Sequence, residues 1–467
     1  MTGKEIHSNR FVQRVNQYNV NKNLIKYNLF MKKIMNLEHH SEEKSLAQKA
    51  YDQSKRIPTG ALAAIFSDPS FSYWTYLSTC ILNRFENNEP IPISDLPYIK
   101  GIINKNAKNI LRYHLLELNR FLVAASVLSK TDILTVVNIL DGGLYIPFLG
   151  IFFQLEDTET SAVVRFDMNG DRSTFKLNER SYSDFDNILF KAEQGVNVVT
   201  TFADNIYIQP SLKSSGGRAV LDCIDPFFRF GWSNIYKNPD GSRYIELTFE
   251  EINETQKSFA EAIQLIEKYW EEMAFQLSIT IRTIHAVKSP LKNQHMSCTS
   301  EQFFGGILTS LGNKYLLAEA IVHEYSHNLL NAIISSGEIF NGKPPSEEIY
   351  YSPWREDPRS ISGVLHAVFV FANVLELLQR ISKQLPTNGH LKVRKCDIRV
   401  KLEKGIQVLN QYNFERPLVN EIITNVENKI NEKDIALSES DMNYAIQAQT
   451  EHLDNSKKNY PDLIFPG

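Results

Sequence analysis

The chain has 467 residues, with 50 Lys and Arg against 54 Asp and Glu, and its formal net charge is −4. This length predicts two or three domains, and 43% hydrophobic with 22% charged residues excludes a disordered chain or a coiled coil. A net charge near zero argues against a dedicated nucleic-acid binder. No stretch of about 18 uncharged apolar residues occurs, and the first residues lack an apolar signal segment, so we expect a cytoplasmic protein that makes no use of a membrane. Four isolated cysteines are typical of reduced, buried thiols.

The first part of the chain is predicted to be helical. Residues 1–36 carry seven Lys and Arg and a single acid, which fits either a solvated helical arm or a docking surface for an acidic partner peptide. Further on, Ile110, His114 and Leu118 recur at helical spacing on one apolar stripe. We therefore predict a helical region over 1–140, with His114 as a core histidine.

The pattern changes to strands in the middle of the chain. Asn169-Gly170 lies between two alternating runs and predicts a hairpin, and the apolar run 277–287 predicts a buried strand. We expect a β-rich region with one long helix over 141–300 and a helical region over 301–467. The predicted class is α+β, mainly helical with a central antiparallel sheet.

One segment carries a metal-binding pattern. His323-Glu324-Tyr325-Ser326-His327 is an HExxH motif, and on a helix the two histidines project from one face and can bind one ion. The flanking residues are mostly apolar, and polar groups on a buried helix need partners or a metal. We predict a metal site with the two histidines as ligands. Two hydrogen-bonded core histidines are the alternative.

A third ligand is predicted on a later helix. The metzincin pattern is excluded, because Leu330 and Ile333 stand where it requires Gly and His. His366 lies one turn into a strongly apolar segment, and Glu376 lies about 80° away from it around the same helix. We therefore predict His366 as the third ligand, on a helix that packs against the HExxH helix, with a core histidine as the alternative.

The metal itself is open at this point. Zinc with three protein ligands and a water would hydrolyse a peptide, with Glu324 as general base. Iron(II) prefers six ligands, which leaves positions for a bidentate 2-oxo acid and dioxygen. Arg355 and Arg359, just before the second helix, suit a dicarboxylate cosubstrate. Salt bridges to Glu356 or Asp357 explain the same arginines equally well.

The segment Ser352–His366 has the pattern S-x-W-R-x-D-P-R-x-x-x-G-x-x-H, and SCTSEQFFGGILTS precedes the HExxH helix. Together with that motif, these segments resemble the 2-oxoglutarate-dependent HExxH-type peptide β-hydroxylases, which are bacterial peptide-modification proteins. The resemblance is most specific over about 295–375. Ser360 is a mild departure, because a Pro is expected there.

The resemblance implies an enzyme that uses Fe(II), 2-oxoglutarate and O2. Its substrate would be a ribosomally synthesised precursor peptide, hydroxylated at a side-chain β-carbon during natural-product maturation (RiPP biosynthesis). It also implies His323, His327 and His366 as iron ligands and Arg355 and Arg359 as the clamp on the cosubstrate.

Other roles are less sharply indicated. Glu324 would be a catalytic residue in a protease, and in an oxygenase it would orient a ligand or a water. His285, Ser297 and Thr299 are candidates for substrate binding, with an exposed strand face as the alternative. The competing functions are a zinc metallopeptidase that cleaves a leader peptide and a peptide-binding scaffold with a structural metal. The sequence indicates no oligomeric state.

Overall fold

The computed structural model describes most of the chain, and its described residues are 8–37, 40–87, 89, 107–140, 142–155, 160–182, 184–195, 200–202, 206–214, 217–235, 244–291, 294–384, 389–431 and 439–466. Within this part the protein is 62% helical, with 14 helices and three small sheets. The predicted α+β class is therefore confirmed.

The helices differ widely in length, and several exceed five turns. In chain order they are α1 (Asn9–Asn36), α2 (Ser41–Arg56), α3 (Thr59–Phe66), α4 (Pro69–Glu86), α5 (Ala107–Ser129), α6 (Phe185–Gln194), α7 (Pro226–Ile235), α8 (Phe249–Tyr269), α9 (Glu271–Thr280), α10 (Lys314–Ser335), α11 (Ile361–Gln384), α12 (Gly389–Leu409), α13 (Pro417–Asn431) and α14 (Glu439–Asn459).

The strands are short and lie in the middle of the sequence. They are β1 (Ile133–Asn138), β2 (Gly143–Ile146), β3 (Ile151–Gln154), β4 (Ser161–Asn169), β5 (Arg172–Leu177), β6 (Arg180–Tyr182), β7 (Thr200–Phe202), β8 (Ile206–Ile208), β9 (Ser211–Ser214), β10 (Gly217–Asp222), β11 (Ile245–Glu246), β12 (Thr283–Lys288), β13 (Ser297–Cys298) and β14 (Gly306–Ser310).

The chain divides into two compact units that are not continuous in sequence. Unit 2 contains every described strand, and unit 1 contains α11 to α14 with nearly all of α10. The predicted regions 1–140, 141–300 and 301–467 follow changes of pattern along the chain, and that division stays a prediction. Unit 1 consists of Met1–Val15, Gln264–Leu277 and Tyr315–Gly467, and unit 2 of Asn16–Ile263 and Ser278–Lys314.

Unit 2 has three sheets where the sequence predicted one antiparallel sheet. Two are antiparallel, with strand orders β1-β4-β5-β6 and β2-β3-β8-β7. The third is mixed, with order β13-β14-β12-β10-β9 and β11 beside β12, and its strands β10, β12 and β14 are parallel neighbours. Helices α7, α8 and α9 come between β10 and β12 in the sequence, and they provide the long crossover connection that a parallel pair needs. Alternation along a strand does not report its neighbours, so the sequence did not indicate this arrangement.

Two predicted local elements occur in the structure at slightly different positions. The hairpin forms between β4 and β5, but Asn169 pairs with Arg172, so the loop residues are Gly170 and Asp171. Gly170 has a φ of 64°, as the first loop position of a type II′ turn requires. The strand predicted over 277–287 begins only at its seventh residue, because α9 continues to Thr280.

His114 is a core residue, as predicted. Its side chain is fully buried in unit 2, stacks on Trp74 at 4.8 Å between ring centroids, and lies 2.7 Å from Ser78 through Nε2. Burial lowers the pKa of His114 to about 3, so the ring is neutral.

The apolar helix α11 belongs to unit 1. Among the described residues, α11 is the one helix whose length and composition would allow it to cross a membrane. In the folded protein, 67% of its most apolar stretch is buried. A helix that is apolar all round and buried is typical of the core of a folded domain.

A histidine in unit 2 lies between two carboxylates. His285 is fully buried, with Nδ1 2.9 Å from Asp222 and Nε2 3.2 Å from Glu246. Burial alone would lower the pKa of this imidazole, but Glu246 and Asp222 outweigh it and raise the pKa to about 9.

We predict that this cluster makes stability fall at alkaline pH. A histidine with a raised folded-state pKa contributes stability that is complete below pH of about 6.5 and is lost as pH rises through about 9. The melting temperature should therefore fall between pH 7 and 9.5, by about 1–2 °C for each kcal/mol lost.

His285→Gln removes the titrating group and is the matched variant. It should unfold at a lower temperature at pH 7 and lose less stability between pH 7 and 9.5 than the unsubstituted chain. Equal slopes for the two proteins over that interval would contradict the prediction.

Candidate metal centre

The HExxH motif lies in the middle of a buried helix. In α10, Ile321, Leu329 and Leu330 are at most 1% exposed, so the helix is held by apolar contacts. Ser326 of the motif accepts a hydrogen bond of 3.0 Å from Asn373 of α11. This polar contact fixes one register between the two helices, because any sliding would leave a buried amide without its partner.

The structure brings the three predicted metal ligands together in unit 1. The rings of His323 and His327 are 4.9 Å apart at their centroids, and those of His327 and His366 are 5.3 Å apart. Nδ1 of His327 lies 3.1 Å from Nδ1 of His366. Two imidazoles from one helical turn therefore meet a third from the next helix.

The spacing of these nitrogens can be compared with that in a metal site. Two neighbouring nitrogens bound to one ion at about 2.1 Å are separated by about 3.0–3.4 Å in octahedral or tetrahedral geometry. The 3.1 Å between His327 and His366 lies in this interval, and without a metal it is a hydrogen bond between the two rings. Among the described residues, however, no group of three or more His, Cys, Asp or Glu is already arranged to hold an ion. Binding therefore requires at least one ring, such as that of His323, to turn about its side-chain bonds.

Burial keeps the three imidazoles neutral. It lowers the pKa of His323 and of His366 to about 4, and Arg394 contributes at His323. The pKa of His327 lies well below its ordinary value, because of burial and then the two neighbouring histidines. A neutral imidazole is the form that binds a metal. The set of donors thus fits a divalent metal with nitrogen affinity.

Glu324 lies beside the first histidine. Its side chain is 2% exposed, and Oε1 is 4.0 Å from Nε2 of His323. Glu376, the competing candidate for the third ligand, instead contacts Arg380 at 2.6 Å and Lys429 at 3.7 Å. Its charge is already balanced by two cations, which leaves the imidazole of α11 as the better donor.

An aromatic wall covers one side of His323. Phe371 meets this ring edge-on at 5.0 Å, and Trp354 stacks on Phe371 at 5.2 Å. Arg394 lies 5.7 Å from the centroid of Phe371, and Glu319 binds its guanidinium. No spacing rule links these residues to the HExxH motif, so the sequence does not indicate this wall.

The two predicted clamp arginines differ in their surroundings. Both contact Asp357, Arg355 through Nε at 2.9 Å and Arg359 through a terminal nitrogen at 3.3 Å. The side chain of Arg355 is 57% exposed, whereas that of Arg359 is 30% exposed. Nε of Arg359 and Nε1 of Trp354 are buried and have no hydrogen-bond partner in the described part of the chain. An unpaired buried donor is costly, and an anionic ligand would satisfy it.

Arg359 also lies close to the start of the ligand-bearing helix. A Cβ added at Gly363 would be 3.6 Å from both Cβ and Cδ of Arg359. Gly363 precedes His366 by about one helical turn. The stem of this arginine therefore lies against the first turn of α11, before the third histidine.

The arginine loop is braced by the end of the chain. Tyr350 pairs with Arg359 and with Ile464. The Tyr351 hydroxyl lies 2.9 Å from His452 and accepts a 2.7 Å hydrogen bond from Gln449. These partners are about a hundred residues apart in sequence, so no local pattern could have identified them.

The predicted substrate-binding residues belong to unit 2. His285 is enclosed between Asp222 and Glu246, with no exposed surface. Ser297 lies in β13 and is partly buried, and the Thr299 hydroxyl donates to the carbonyl oxygen of Gly306 at 3.1 Å. Their role in binding a substrate stays a prediction.

No protein-family model matches the chain, and no curated protein matches it.

We predict that Gly405→Ala disturbs the aromatic wall. The added Cβ would lie 2.6 Å from Val368 and 3.0 Å from Trp354, so the indole or α11 must move. Overpacking of this kind costs about 1–3 kcal/mol, against a gain of about 1 kcal/mol in helix propensity. The expected result is a lower melting temperature and a changed near-UV circular dichroism spectrum.

Gly363→Ala is the matched control, since it is also a helical glycine of unit 1. Its new Cβ would meet nothing closer than 3.5 Å, so its stability should be unchanged or higher. If the two variants melt alike, α12 does not hold Trp354 in place.

Proposed function

We propose that the chain is an iron(II)- and 2-oxoglutarate-dependent dioxygenase that hydroxylates a side-chain β-carbon in a ribosomally synthesised precursor peptide. In this proposal α10 is a zincin-like HExxH helix, α11 carries the third ligand, and the enzyme acts in the cytoplasm during natural-product maturation. Neither a nucleic acid nor a membrane takes part.

One observation carries the proposal. Three neutral, partly buried histidines from two helices lie together, with Nδ1 of His327 3.1 Å from Nδ1 of His366. An ion held by His323, His327 and His366 keeps positions free for small ligands. When bound, iron(II) with 2-oxoglutarate and dioxygen supplies the oxidation that converts a C–H bond into C–OH, with release of succinate and carbon dioxide.

The surroundings of the histidines support an anionic cosubstrate. Arg359 offers a buried Nε donor without a partner, and its stem lies along the first turn of α11. Phe371 and Trp354 cover one side of His323, whose side chain is 23% exposed. In this proposal Arg359 binds the distal carboxylate of 2-oxoglutarate and Arg355 adds charge at the rim.

The alternative is a zinc metallopeptidase that cleaves a leader peptide. Its support is Glu324, which is 2% exposed and 4.0 Å from His323, where a general base of such an enzyme would lie. In the dioxygenase the same carboxylate orients His323 or a water. Zinc in the protein, with peptide cleavage that Glu324→Gln abolishes, would establish this alternative.

We predict that protein purified without air holds about one equivalent of iron per chain. His366→Ala keeps the HExxH pair but removes the third ligand, so it should lose most of the metal while the fold is retained. Metal analysis and circular dichroism measure the two quantities. With a cognate peptide and 2-oxoglutarate, the unsubstituted chain should yield succinate and a peptide heavier by one oxygen atom.

His295→Ala is the control for this experiment. His295 is a partly buried histidine of unit 2, hydrogen-bonded to Ser310 at 3.1 Å, and its loss should leave the metal content unchanged. Full iron content in His366→Ala would remove the third ligand from the proposal, and absence of succinate with every peptide tried would refute the activity.

We predict a large difference between the two arginines. Arg359→Ala should raise the KM for 2-oxoglutarate about 10–100-fold, because a charged, partly buried hydrogen bond is lost. Arg355→Ala should change it less than about threefold, since this exposed group contacts Asp357 in solvent. Steady-state kinetics at saturating peptide measure both, and an equal effect of the two variants would contradict the assignment.

A further inference from the structure

Helix α1 exposes apolar side chains on the side opposite its core contacts. In unit 2, Tyr27 and Phe30 are at most 2% exposed and belong to the hydrophobic core. Ile25 and Leu29 are 59% and 54% exposed, and Tyr18 is 37% exposed. At about 100° per residue, these three fall within about 40° of one another, roughly opposite the core side. A surface helix normally places polar residues there, so the exposure of Ile25 and Leu29 is unusual for such a helix.

The exposed face has the spacing of a helix-packing seam. Tyr18, Lys22, Ile25, Leu29 and Lys32, here called the α1 ridge, follow one another at steps of four, three, four and three residues. This is the heptad spacing by which one helix packs along another. The ridge thus offers a partner helix a continuous line of contacts.

The charge of α1 limits what can bind. The helix contains six Lys and Arg and no Asp or Glu. Lys33 contacts Glu86 at 2.7 Å, and Lys22 and Lys32 flank the apolar side chains of the ridge. A second copy of the same helix would bring like charges together, and a nucleic acid would leave the apolar side chains without a partner. An acidic amphipathic helix would match both the positive charge of α1 and its exposed apolar side chains.

We propose that the α1 ridge is the docking surface for an acidic amphipathic helix of a partner polypeptide. The apolar side of the partner packs along Tyr18, Ile25 and Leu29, and its carboxylates lie beside Lys22 and Lys32. The proposal does not depend on the metal centre or on its reaction.

The experiment uses the full chain and two synthetic peptides. One peptide has about four heptads with Leu at the seam positions and Glu at the flanking positions, and the other has Lys in place of Glu. Repulsion between like charges keeps each peptide from pairing with itself. The acidic peptide should bind at micromolar concentration, about tenfold or more tightly than the basic one. Its affinity should fall when salt is added. Fluorescence anisotropy measures both.

Two variants of the ridge test the assignment. The double variant Ile25→Asp, Leu29→Asp should bind the acidic peptide about tenfold or more weakly. Lys22→Glu with Lys32→Glu should reverse the preference in favour of the basic peptide. Ile25, Leu29 and Lys32 are exposed and Lys22 is partly exposed, so the melting temperature should change little.

Leu134→Asp with Val136→Asp is the matched control. These residues of β1 are 61% and 40% exposed, and their substitution should leave peptide binding unaltered. No binding of the acidic peptide, equal binding of the two peptides, or loss of binding in the control alone would overturn the proposal. Binding of phosphatidylserine vesicles in place of the acidic peptide would also overturn it, in favour of a membrane surface.

Discussion

The contact between α10 and α11 is the constraint on which the candidate centre depends. Asn373 donates to Ser326 at 3.0 Å. Ser326 directly precedes His327 on α10, and Asn373 follows His366 by two turns on α11. Nδ1 of His327 meets Nδ1 of His366 between the same two helices. A shift of either helix by one residue would break the amide contact and turn the third imidazole away by about 100°. Helix register, rather than a flexible loop, therefore decides whether three imidazoles can share one ion.

The same burial that positions the imidazoles also determines their chemistry. His323 and His366 are partly buried and have pKa values lowered to about 4 by desolvation, whereas His285 in unit 2 is fully buried and has its pKa raised to about 9 by two carboxylates. Desolvation alone yields neutral imidazoles, and close carboxylates yield a cation. Glu324 lies 4.0 Å from His323, beyond hydrogen-bond distance, so this cluster keeps the neutral form that suits a divalent metal.

Local features of the sequence were predictable, and long-range ones were not. Periodicity and the i, i+4 spacing of His323 and His327 indicated the helices and the candidate ligand pair, and apolar context placed His114 in the core. Three other features could not be derived in this way: the neighbours of each strand, the one-residue shift of the loop at Gly170, and the aromatic wall over His323. Each depends on residues that meet only after packing, and no spacing rule relates Trp354 to His323.

The difference between Arg355 and Arg359 follows from this division between local and distant contacts. In the sequence they are two equal cations before one helix, and either one can pair with Asp357. In the folded chain Tyr350 and Ile464 pair on one side of the loop, and Arg359 is drawn against the first turn of α11. Contacts with the C-terminal segment, far away in sequence, thus bury one guanidinium stem and leave the other in solvent. The different burial of the two arginines is therefore a property of the folded unit 1, and the motif that contains both could not specify it.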